Sequence, residues 1–227
     1  MRAELECAPS YAMAYLTLAA GETAVVEPGA TVAMSAGLEV AGGFGPGGVL
    51  KAAARRLAGG EGLLMARYTA TIEGSWVAVA PRYPGDIAVL EVSPERPVLA
   101  QSGSFLAASE TLMPSAAYAG VKMMLLHEGI TALRLTGSGL ALVASYGGLQ
   151  RFALGPGEQL VVDTGHIVAW SEHTALRIGA LSSVVTSAVT GEGLVGLFSG
   201  PGEVWIQTRA EQQLRGWLTP TRETNTR

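Results

Sequence analysis

The chain repeats itself, and that limits it to folds built from like units laid side by side. GETAVVEPG at 21–29 returns as GEQLVVDTG at 157–165. The same offset of 136 sets Val32-Ala33-Met34-Ser35 on Val168-Ala169-Trp170-Ser171. PGDIAVLEV at 84–92 reads as a third copy of the opening, with Asp86 in the place of Glu22 and Glu158. A second marker follows each opening: GEGLLM at 60–65, HEGITA at 127–132 and GEGLVG at 191–196, which puts Glu61, Glu128 and Glu192 in step. A glycine turn and another apolar strand come next, in IEGSWVAV at 72–79, TGSGLALV at 136–143 and SGPGEVWI at 199–206.

Strands this short, alternating in character and bounded by Gly and Pro, predict an all-β protein of three tandem β-sandwich-like repeats. The units fall at about 10–80, 81–147 and 148–209, forming one module over 1–210. The remainder, 211–227, is expected to carry a short helix at 211–217 and then to be partly disordered. The connectors differ between copies. The first, 41–60, holds a glycine loop and predicts a short amphipathic helix at 49–57.

Composition narrows the function. Charged residues make up 15% of the chain against 48% apolar, so a closed homo-oligomer, taken as a trimer, is expected to cover apolar surface. The net charge of −4 gives no footprint for nucleic acid. Cys7 is the only cysteine and reads as a small strand residue; there is no disulfide framework or thiolate zinc site. No stretch approaches the ~20 apolar residues of a membrane helix. Met1 to Pro9 does not read as a secretory signal, and a cytoplasmic setting is expected.

The Gly-acid pairs read as hairpin turns whose acid faces water or caps an amide, with a carboxylate triad as the sharper alternative. Residues 43–48, GFGPGG, satisfy the dinucleotide fingerprint on paper, but no βαβ unit surrounds them. Asp163, His166, Glu172 and His173 lie within eleven residues, and Asp163, His166 and His173 form the candidate metal set. The odd separation of the two histidines would place them on opposite faces of a strand, and Gly165 suggests that His166 sits exposed at a bend. No bound metal and no cofactor are expected. No G-x-S-x-G elbow occurs. Lys51, Arg55 and Arg56, beside Phe44 and Val49, form a basic and apolar cluster suited to an acidic partner or an anionic lipid surface.

The order of blocks also resembles a known family. VEPGA-x-VAMS, AP-x₂-PGDI, VDTGH-x-VAW and the closing FSGPGEVWIQTR are similar to uncharacterised bacterial relatives of the "altered inheritance of mitochondria" family, over about residues 5–210. The resemblance implies a triplicated module similar to the trp RNA-binding attenuation protein subunit, with three copies about a pseudo-threefold axis. It implies no catalytic residues, and its mitochondrial branch is linked to inner-membrane organisation. The RNA-binding cousin uses a rim of lysines, and this chain has only Lys51 and Lys122. The function expected is a non-enzymatic oligomeric scaffold or partner-binding module, linked to membrane organisation. The alternative is a small-molecule or metal-dependent enzyme with its site between repeats.

Overall fold

A computed structural model describes residues 1–42, 65–101, 103–116, 132–180 and 194–218. After β1 (Arg2–Glu6), one six-strand pattern is laid down three times. The first set is β2 (Met13–Leu18), β3 (Thr23–Val26), β4 (Thr31–Met34), β5 (Leu38–Ala41), β6 (Ala66–Ala70) and β7 (Ser75–Val79). The second is β8 (Ile87–Val92), β9 (Val98–Gln101), β10 (Phe105–Ser109), β11 (Met113–Ala116), β12 (Ala132–Thr136) and β13 (Gly139–Ala144). The third is β14 (Leu149–Leu154), β15 (Gln159–Asp163), β16 (Ile167–Ser171), β17 (Ala175–Ala180), β18 (Leu194–Ser199) and β19 (Gly202–Gln207). We letter the six strands of each unit a to f. A helix, α1 (Glu211–Leu218), follows and agrees with the sequence expectation. The helix expected at 49–57 lies outside the described residues.

Pairing is antiparallel throughout the strands and repeats its plan. Within every unit, f lies between a and c, and e lies between b and d. Strand b of one unit then pairs with strand c of the next, β3 with β10 and β9 with β16. The sheets therefore run across unit boundaries, in the orders β1-β2-β7-β4, β5-β6-β3-β10-β13-β8, β11-β12-β9-β16-β19-β14 and β15-β18-β17. A bulge marks the same place in each c strand, at Thr31/Ala33, Phe105/Ala107 and Ile167/Ala169. One serine stands at or just past the end of each c strand and accepts a hydrogen bond from an f-strand amide: Ser35 from Trp76, Ser109 from Leu140, Ser171 from Glu203.

Alternation explains the cores. In β2 every second residue points inward, so Ala14, Leu16 and Leu18 are buried and cluster with Val26 and Tyr68 of the other sheet and with Val79 of the adjacent strand. The middle core gathers Leu90, Phe105, Leu133 and Trp205. The third is built on Trp170, set edge-on to Phe198 at 5.9 Å, with Val162, Ile167 and Val204 around them.

The pairing corrects the sequence reading in one place. Glu22 and Glu158 do occupy equivalent turns. Each carboxylate accepts a backbone N–H three residues back, from Ala19 and Gly155, behind a glycine with φ near +80°. Asp86 does not join them. It precedes β8, an a strand, and its side chain accepts the Ile87 amide. The counterpart of 21–29 in the second unit is 95–103, ERPVLAQSG, where Arg96 stands at the Glu22 position. Glu61, Glu128 and Glu192 lie outside the described residues.

Candidate functional site

The b–c joint is where neighbouring units meet, and it is present twice within the chain. Val26 faces Ala107 and Val25 faces Ala108 at the first joint; Ala100 faces Ala169 and Leu99 faces Trp170 at the second. The pattern leaves one c strand, β4, and one b strand, β15, at sheet edges. Their side chains show what is missing. Leu106 and Val168 are buried at the bulge position, while Val32 is 58% exposed. Ala108 and Trp170 are buried two residues on, while Met34 is 48% exposed. On the b side Val25 and Leu99 are buried, while Val161 is 39% exposed. The same fold positions are thus dry where a neighbouring unit lies against them and wet where none does.

Two clefts flank the first joint. One, of about 610 Å³, lies beside Glu22, Glu91, Arg96, Glu110, Thr111 and Ser138. Three of its polar side chains are engaged locally: Glu110 pairs with Arg67, Thr111 donates to the Ser138 carbonyl, and Ser93 donates to Glu95. The other, of about 100 Å³, lies near Glu27, Arg82, Tyr83, Ser104 and Tyr146. Tyr83 and Tyr146, from the two chain segments that link units, meet with ring centres 5.1 Å apart. Gly85 lies in the first of these links, where a Cβ would sit 1.8 Å from the Ser145 carbonyl oxygen.

Burial raises the Glu27 carboxyl above its ordinary range, and Arg82, whose Nη2 is 3.9 Å from Glu27 Oε1, only partly offsets it. A carboxyl raised by folding costs stability as pH climbs above its unfolded value and costs nothing below it. Glu27→Gln is therefore expected to raise Tm at pH 7. It should leave Tm unchanged at about pH 3.5, below the unfolded value of about 4.3. A lower Tm at pH 7 would mean that the Arg82 contact outweighs desolvation.

The histidines are not brought together. Asp163 ends β15 and caps a 3-10 turn (Thr164–His166), its side chain accepting the Gly165 amide, and His166 ends that turn just before β16. His166 is at a bend, as its glycine suggested, but half-buried rather than exposed, with Nδ1 2.7 Å from the Gln207 carbonyl. His173 lies beyond the other end of the five-residue strand, against the Glu95 carbonyl. Among the described residues no three His, Cys, Asp or Glu side chains are grouped to hold a metal. Cys7 is exposed in a turn with φ +56°, not within a strand. Phe44, Val49, Lys51, Arg55 and Arg56 lie outside the described residues. No described helix is long and apolar enough to cross a membrane.

Sequence reasoning missed the joint because β4 reads like any buried strand. The signal was available only after alignment: Val32-Ala33-Met34 matches Val168-Ala169-Trp170, yet is exposed where the matching residues are buried.

Comparison with known proteins agrees with this architecture. An uncharacterized protein of Streptococcus pyogenes serotype M6 is 29% identical over 178 residues, covering 78% of this chain and 71% of its own. The crystal structure of a Streptococcus pyogenes protein superposes with a TM-score of 0.75 at 25% identity, covering 96% of this chain and 97% of that one. The family model described as mitochondrial biogenesis AIM24 matches residues 3–209, so the chain belongs to the AIM24 family.

Proposed function

We propose that this protein is a non-enzymatic assembly module whose copies join head to tail, β15 of one against β4 of the next, into a closed ring. The observation that carries this reading is the paired exposure of Val161 on β15 and of Val32 and Met34 on β4, at positions buried in both internal joints. A joint of this kind is heterologous, and it ends in a ring when the rotation per copy closes. Three copies would give a ring of nine units.

The ring is the scaffold, and the d–e connections are its partner-facing part. They leave the β core at the same point in each unit, after β5, β11 and β17, and return at β6, β12 and β18. The first of them carries Phe44, Val49, Lys51, Arg55 and Arg56, apolar and basic residue types suited to an acidic protein or an anionic lipid surface.

Light scattering at micromolar concentration tests the assembly. The expected mass is three times the 23.4 kDa chain, about 70 kDa. A mass of one chain at every concentration would end the proposal.

A further inference from the structure

The joints inside the chain and the joint between copies share a backbone plan but not a set of side chains. At each internal joint an arginine on strand e reaches a glutamate just beyond strand c of the next unit. Arg67 pairs with Glu110, and Arg134 Nε lies 2.8 Å from Glu172 Oε1. The same glutamates are pinned through their backbone, Glu110 N–H donating to the Thr23 carbonyl and Glu172 N–H to the Pro97 carbonyl. Backbone register, not side-chain reach, therefore sets where the two charges stand.

The register carries over to the free edges. Arg67 lies opposite Val25 and Arg134 opposite Leu99; in the third unit Leu197 lies opposite Val161. Glu110 follows Ser109 and Glu172 follows Ser171; in the first unit Ala36 follows Ser35. Both ionic partners are therefore missing from the free edges together. Leu197 is half-buried and Ala36 exposed.

We propose, resting on the head-to-tail reading, that Leu197 of one copy packs on Ala36 of the next, and that this apolar pair selects β4 as the strand β15 accepts. A c strand followed by Glu110 or Glu172 would press a carboxylate onto Leu197, where β18 has no arginine and the cross-strand Arg177 stands one strand farther from the joint, on β17; desolvating a charge without a close partner is costly. The pair thus separates the joint between copies from the two within a chain while several units are still open to pairing. The partner that fits this surface is a second copy presenting its first unit.

Association of the full chain, followed by sedimentation at 50 and 500 mM NaCl, tests the pair through Ala36→Glu, Leu197→Arg and the two combined. Ala36→Glu should weaken assembly about tenfold. The combined variant should recover to within about threefold of the wild type at low salt and weaken at high salt, since its joint is now held by exposed ions. The wild type should change less with salt. An Ala36→Glu protein that assembles like the wild type, or a combined variant no stronger than Ala36→Glu alone, overturns the pair. If Met34→Asp still abolishes assembly in that case, the head-to-tail joint stands and only its selectivity falls. A wild type that is monomeric throughout removes both.

Discussion

Met34→Asp should leave each chain folded and take the assembly apart. Met34 is half exposed in the single chain, so an aspartate there stays hydrated and the sandwich beneath loses little. In the joint, the same position corresponds to Ala108 and Trp170, both buried. The carboxylate would be desolvated against Val161 with no cation opposite. A penalty of about 3 kcal/mol or more is expected, which is a loss of at least about 100-fold in association. Val161→Asp, on the other side of the joint, should do the same. Light scattering reads the loss of mass, and far-UV circular dichroism reads the intact β fold. Retention of the wild-type mass by both variants would show that β4 and β15 do not meet.

The second large effect is expected within the chain. Trp170 is 1% exposed, stands at the centre of the third core and stacks edge-on with Phe198. Trp170→Ala removes that contact and leaves a cavity bounded by rigid strands on two sheets. Truncations of this kind cost about 3–5 kcal/mol, or about 10 °C in Tm for a chain of this size. Calorimetry at one protein concentration measures it, because assembly adds its own concentration-dependent stability. A shift of only a degree or two would mean that the third core repacks freely.

How much of this was legible in the sequence depends on what kind of force fixed it. The strands of the first core were legible because alternation is a local signal, clear in Met13–Leu18. The e–f hairpins were legible too, since a glycine turn stands at the same place in all three units, before Trp76, Leu140 and Glu203. The phase of the middle unit was not. PGDIAVLEV imitates GETAVVEPG because a Gly-acid turn before an apolar run also suits the first strand of a unit, whereas the true counterpart, ERPVLAQSG, keeps little beyond its apolar residues and final glycine. What identifies it is pairing with Ala169–Ser171, a contact some 70 residues distant. The joint residues were invisible for the same reason. Arg67 and Glu110, or Arg134 and Glu172, become pairs only when b meets c across units, and their spacing differs because the shorter links between the intervening strands differ in length.

The bulge in each c strand bears on how such a chain survives its own synthesis. Bulging lets Leu106 turn its carbonyl to the Glu27 amide of the preceding unit, so it belongs to the joint. In β4 the same irregularity falls at Val32, on a strand of four residues that pairs with β7 on one side and with no described strand on the other. A short, kinked edge is a poor template for open-ended β-pairing, because an unrelated strand cannot lie flat along it. A newly made chain thus carries apolar side chains on an open edge without offering that edge to misfolded neighbours, and waits for a strand of matching shape.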